Sequence, residues 1–189
     1  IIIAYNLCYT TLVGKLITDK NAPLRERLGI FKNFVPESKE RIMEMYENKQ
    51  LYIAPNGAIF VKSSVRRGIL PMMLEEILET RIRVKAAMKN TKRKGLDVST
   101  RVLDARQFAL KMIANVTYGY TSASFTGRMP CADLADTIVR IGRVSLEQCI
   151  RKIDHKCSDG KENQWNAEVV YGDTDSVFVY LPGKNILQA

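Results

Sequence analysis

Apolar residues recur along this chain with two periods, one helical and one strand-like, and stretches of the two alternate. Leu70, Met73, Leu74, Ile77 and Leu78 return every third or fourth residue, the spacing of one helix face. Val102 to Ala114 is rich in Leu, Ala, Gln, Lys and Met, so a second helix is expected there. The polar stretch Lys92–Ser99, with Gly95 inside it, is the expected tip joining the two as an antiparallel pair. Asp133 to Ile153 reads as another long helix, with Leu134, Ile138, Ile141, Ser145 and Cys149 on or near one face and Asp133 as the candidate cap. Strand-like segments come in pairs. Leu51-Tyr52-Ile53-Ala54 and Ala58-Ile59-Phe60-Val61 flank Pro55-Asn56-Gly57, and Asn-Gly suits a primed hairpin turn. Val169-Val170-Tyr171 and Val177-Phe178-Val179 flank a second turn, Gly172-Asp173-Thr174-Asp175-Ser176. Residues 1–13 are apolar and are expected to run from a strand into a helix. Residues 14–50 mix charge with Pro23, Gly29 and Pro36, so they read as a connector with a short helix near Lys39–Glu47. Residues 154–166 read as a polar loop around Asp159-Gly160. The fold class is α+β: an antiparallel sheet with packed helices.

Composition narrows the class without naming a function. A chain of 189 residues with 46% hydrophobic content can bury one core. Lys and Arg number 29 against 20 acids, a formal charge of +9, which favours a polyanionic partner. Arg81, Arg83, Lys85, Lys89, Lys92, Arg93 and Lys94 follow one another with no acid between them. Most of that run is a solvated helix end, where cations also complement the helix dipole. Cys8, Cys131, Cys149 and Cys157 lack C-x-x-C spacing and His155 is the sole histidine, so neither zinc nor a disulfide framework is expected. Reduced thiols of an intracellular protein are the plain reading. No run resembles a signal peptide or approaches the ~18 apolar residues of a membrane span. The chain opens without Met inside an apolar run and reads as an excerpt of a longer polypeptide.

Chemistry concentrates in two places. Asp173 and Asp175 alternate in step with a pleat, so both side chains are expected on one face of the hairpin. Two such charges repel unless a cation lies between them, and all-oxygen donors suit magnesium. Gly-Asp-Thr-Asp is also ordinary turn chemistry, which is the plainer alternative. Upstream, Lys111, Asn115 and Tyr118 fall at i, i+4 and i+7 of the expected helix and share a face. An ammonium, an amide and an aromatic ring suit a phosphate, a polar oxygen and a base or sugar. Gly119 is the expected left-handed stop of that helix. Arg81 and Lys85, one turn apart, can address one ligand together.

Lys111-x-x-x-Asn115-x-x-Tyr118-Gly119, followed by Tyr171-Gly172-Asp173-Thr174-Asp175-Ser176, resembles the B-family DNA polymerases. Gly68-Ile69-Leu70-Pro71 with Leu74, Leu78, Arg81 and Lys85 is similar to the other fingers helix of that family. Ile1-Ile2-Ile3-Ala4-Tyr5-Asn6 is similar to the end of its first palm motif, which implies an essential aspartate before residue 1. Asn115 to Ala123, Gly127-Arg128-Met129-Pro130-Cys131, Ala54-Pro55-Asn56-Gly57 and Val116, where most members have Ser, resemble the translesion branch rather than the replicative one. The resemblance covers nearly the whole chain and is weakest over 14–50 and 154–166.

The resemblance implies a palm segment with connector and hairpin over 1–64, fingers over 65–120, and palm with the carboxylate hairpin over 121–189, incomplete at both ends. It implies template-directed DNA synthesis from deoxynucleoside triphosphates on primer-template DNA. Asp173 and Asp175 would be the catalytic metal ligands for two Mg2+ ions. Arg81, Lys85, Lys111, Asn115 and Tyr118 would bind the nucleotide. It further implies a nuclear enzyme with accessory subunits, a HORMA-domain protein among them, and a C-terminal iron–sulfur cluster outside these residues. A replicative polymerase of the same family, or an inert nucleic-acid-binding derivative, are the alternatives; the intact acids and lysine weigh against the second.

Overall fold

The computed structural model describes residues 1–16, 28–30, 38–123, 130–158, 167–183 and 185. The expected connector region 17–27 and 31–37, and the segments 124–129 and 159–166, lie outside them. The chain divides into two compact units, Ile1–Ile138 and Val139–Ala189.

In the first unit, strands β1 (Leu12–Leu16), β2 (Leu28–Ile30), β3 (Leu51–Ile53) and β4 (Ala58–Val61) form one antiparallel sheet in the order β2-β1-β4-β3. Helix α1 (Lys39–Glu47) starts where Ser38 accepts a hydrogen bond from the Arg41 amide, and it buries Ile42 and Met45. These two pack with Val13, Ile59 and Val61 into the core. Every residue of β4 is buried, so its alternation of faces uses both sides of the sheet.

Three expectations are corrected here. Residues 1–6 are a run of turns, and the strand begins only at Leu12. Asn6 explains the turns: it sits at φ +54°, a region Asn tolerates, and is 3% exposed. Its amide nitrogen donates to the carbonyls of Val61 and Arg66 at 2.8 Å, and its oxygen accepts from the Gly68 amide at 2.8 Å. Secondly, β1 and β2 lie in what the sequence suggested was largely connector. Thirdly, the hairpin between β3 and β4 forms as expected, but Asn56-Gly57 is not a primed turn. The Ala54 amide donates to the Ala58 carbonyl at 2.8 Å and only Gly57, at φ +84°, is left-handed, giving the three-residue loop Pro55-Asn56-Gly57 closed by glycine.

Helix α2 (Ile69–Arg93) and helix α3 (Asp97–Ser122) follow, joined by a short tip with Gly95 at φ +68°. They pack against each other along their length. Thr100 donates to Thr91 near the tip and Arg81 reaches Gln107 further down, so residues recede along α2 as they advance along α3, an antiparallel seam. Gly119 does not stop α3: it lies inside the helix, outside the left-handed region, and the helix continues to Ser122. Thr121 and Ser122 donate to carbonyls one turn back, so side chains accompany the real end.

Helix α4 spans Ala132–Ser158, with Asp133 in its first turn rather than capping it. The Asp133 carboxylate instead accepts from Lys15 at 2.6 Å. Of the expected apolar face, Leu134 and Ile141 are buried and Ile138 half-buried, whereas Ser145 and Cys149 are exposed. The second unit also holds the hairpin of β5 (Glu168–Asp173) and β6 (Ser176–Tyr180). Val170, Tyr171, Phe178, Val179 and Tyr180 stay exposed on it.

Candidate active site

Two clusters of candidate residues are described, one in each unit. On α2, Arg81 is half-buried in the helix seam, and Lys85, one turn on, is exposed. On α3, Lys111 and Asn115 are exposed and Tyr118 is half-buried. The expected helical spacing therefore holds, and Lys111 stands one turn beyond Gln107, the residue that Arg81 contacts. Val116 is 42% exposed beside them.

The start of α2 is held rigidly. Gly68 caps it in an extended conformation, and a Cβ at that position would stand 2.8 Å from the Cys8 Cβ and 3.0 Å from Pro71 Cδ. No real side chain tolerates that approach to a stiff neighbour. Asn6 and Gly68 therefore fix where the helical pair leaves the sheet. Sequence reading missed Asn6; the available signal was a lone amide inside an apolar run, which must find partners once buried.

In the second unit, the carboxylate turn differs from the expected pleat. Asp173 is the last residue of β5, but Asp175 lies in the loop, after Thr174 at φ +49°. Strand alternation therefore does not apply across the pair. The Thr174 hydroxyl donates to the Asp173 carboxylate at 3.0 Å, and the Ser176 hydroxyl donates to the Asp173 carbonyl at 3.1 Å. Among the described residues no ion pair reaches either acid, and both are exposed. Two negative charges thus share a tight turn without a cationic partner among the described residues.

A cavity of about 270 Å³ lies elsewhere in the first unit, lined by Tyr5, Asn6, Tyr52 and Lys62 among others. The Tyr5 and Tyr52 rings meet there at 4.8 Å between centroids. Burial, with Tyr5 as a lesser cause, pushes the Tyr52 phenol above its ordinary pKa. None of the expected site residues lines it.

Similarity to known proteins covers the whole chain. The chain is 47% identical over 195 residues to the DNA polymerase zeta catalytic subunit of Saccharomyces cerevisiae, covering all of this chain and 12% of that protein. The zeta subunit of Arabidopsis thaliana is 48% identical over 189 residues, with all of this chain and 9% of the relative covered. The delta catalytic subunit of Glycine max is more distant, at 39% over 179 residues, covering 95% of this chain and 14% of the relative. The structure of the family B DNA polymerase from the hyperthermophilic archaeon Pyrobaculum calidifontis superposes with a TM-score of 0.56 at 27% identity, over 96% of this chain and 19% of that one. The chain thus spans a small part of the relatives it matches. The model of DNA polymerase family B matches residues 1–189, taking in both the helical pair and the two-acid turn, and this chain belongs to that family.

Proposed function

We propose that this chain forms the fingers and part of the palm of a DNA-directed DNA polymerase that works in translesion synthesis. Residues 65–120 are the fingers in this reading, with 1–64 and 121–189 contributing to the palm. The observation that carries it is the Asp173–Asp175 turn: two exposed carboxylates, with no ion pair among the described residues, in a chain of this family. The greater likeness to zeta, 47% against 39% for delta, favours translesion over replicative work. A nuclear location, a HORMA-domain accessory subunit and an iron–sulfur cluster belong to the same reading of the longer protein.

Asp173 and Asp175 would hold divalent metal, and their donor chemistry fits: hard oxygens suit magnesium, which keeps water and substrate phosphate in its shell. No third His, Cys, Asp or Glu joins a cluster among the described residues, so the turn supplies only part of a shell. The chemistry such ions would supply, held by Asp173 and Asp175 with further ligands, is activation of the primer 3′-hydroxyl and stabilisation of the leaving oxygen. Lys111 and Arg81 would neutralise the triphosphate, Arg as a fork and Lys as a point charge, with Lys85 and Asn115 assisting. Tyr118 would line the nascent base-pair pocket, its ring excluding water and restricting pair shape. Base pairing with the template selects the nucleotide, so no side chain needs to read base edges.

Primer extension by the full-length enzyme tests this reading. Asp175→Asn is expected to abolish extension while leaving DNA affinity near normal. Lys111→Ala is expected to weaken nucleotide use by roughly 1.5–3 kcal/mol, the scale of a charge-assisted hydrogen bond. Robust synthesis by Asp175→Asn would refute the metal role.

A further inference from the structure

The seam between α2 and α3 is largely apolar, with a pair of threonines near the tip and one charged level further down. On α2, Leu74, Ile77, Val84 and Met88 are buried or half-buried, and Arg81 interrupts them. On α3, Leu103, Leu110 and Ala114 are half-buried, and Gln107 interrupts them at the same level. The two interruptions meet: Arg81 Nε donates to Gln107 Oε1 at 3.4 Å, a long contact. Gln107 Nε2 in turn donates to Asp104 Oδ1 at 3.1 Å.

The chemistry of these neighbours fixes the amide. A guanidinium only donates and an ionised carboxylate only accepts, so the Gln107 oxygen must face Arg81 and its NH2 must face Asp104. The amide therefore couples Arg81 to Asp104 without letting them pair. A direct Arg–Asp fork would neutralise the cation and occupy both of its outer nitrogens. Here the guanidinium is tethered by Nε alone, and among the described residues its Nη atoms make no hydrogen bond. Polar groups in a helix seam pack less favourably than leucine, so this arrangement gives up stability.

We infer that Gln107 is a positioning residue: held by Asp104, it anchors Arg81 by Nε so that the two Nη groups stay charged and free to grip a phosphate group of the incoming triphosphate. This rests on the proposed phosphate role of Arg81, and the test separates the two. Nucleotide affinity and maximal rate would be measured by single-turnover extension with the full-length enzyme, alongside melting temperature, for Arg81→Ala, Gln107→Leu, Gln107→Glu and the Arg81→Ala/Gln107→Leu double variant. Gln107→Leu is expected to weaken nucleotide affinity roughly tenfold, the share of one well-placed charged contact. Its melting temperature should hold or rise, because leucine suits the seam, which a merely structural role would not allow. Gln107→Glu should also weaken affinity, since its carboxylate pairs Arg81 directly. In the Arg81→Ala background, Gln107→Leu should add nothing. Unchanged affinity in Gln107→Leu, with Arg81→Ala impaired, would overturn the positioning role alone; so would a loss that persists in the double variant. Unchanged affinity in Arg81→Ala would overturn the phosphate reading and this inference with it.

Discussion

Asn6 shows how one side chain can set the geometry of a distant element. Its three hydrogen bonds tie the opening turns to the end of β4 and to the first residue before α2. Truncating it leaves two carbonyls and an amide unpaired in a site that is 3% exposed. Asn6→Ala should therefore destabilise the fold by about 3 kcal/mol, since each orphaned buried group costs about 1–3 kcal/mol. Denaturant unfolding reads this directly, and a loss below about 1 kcal/mol would show that water replaces the amide. Cys131 offers a second residue-scale test. Its burial, opposed by backbone hydrogen bonds from Leu134 and raised further by Asp133, leaves the thiol pKa above its ordinary value. The fold thus favours the neutral thiol. Its contribution is complete below the unfolded thiol pKa, about 8.5, and is lost as pH rises through the higher folded value. Cys131→Ala should flatten the alkaline limb of the stability profile, and maleimide should modify exposed Cys149 well before Cys131. Equal labelling rates, or an unaltered alkaline limb, would contradict the burial argument.

At the scale of elements, what was legible depended on whether the determinant was local. The β3–β4 hairpin, α2, α3 and the short helix α1 follow from periodicity and turn residues, and they stand close to where the pattern put them. Strands β1 and β2 were not legible because Gly14, Lys15 and Gly29 dilute their pattern, and only pairing with each other and with β4 defines them. Gly119 and Asp133 misled because both residue types punctuate helices; at Asp133 neighbours from elsewhere override the signal. Asp133 is claimed by Lys15, and its carbonyl by Asn56 at 3.0 Å. Asn56 also donates to Thr137, a fully buried hydroxyl, at 2.8 Å. The hairpin loop thereby clasps the first turn of α4. Asn56→Ala should cost about 2 kcal/mol, because Thr137 loses a buried partner. Lys15→Ala should cost about 1 kcal/mol, because its ion pair is still partly open to solvent. The reverse ranking in thermal unfolding would mean that charge, rather than the amide, secures the helix start. Of the candidate site, the helical strip Lys111, Asn115 and Tyr118 was legible from spacing alone. The Gln107 contact was not, because it crosses between helices.

Among the described residues, many large apolar side chains stand exposed in both units. Val98, Val102, Met112, Val116 and Tyr120 stand exposed along α3, and both faces of the β5–β6 hairpin carry exposed Val, Tyr and Phe. A two-stranded hairpin with solvent on both faces is marginal by itself. Its turn holds two carboxylates in the second unit, and no third acid joins a cluster among the described residues. A two-metal displacement needs oxygen ligands on both sides of the ions. The 189 residues expressed alone are therefore expected to show no primer extension, although they carry the nucleotide-binding residues proposed for the fingers. Weak DNA binding should persist and fall steeply with salt, because a formal charge of +9 supports counterion release without any complete site. The measurement pairs primer extension in magnesium and all four deoxynucleotides with DNA binding across a salt series, using Asp175→Asn as the control. Extension above that control would mean that these residues complete a metal site by themselves, and the two-acid turn would have to be reinterpreted as one part of a larger cluster within the chain.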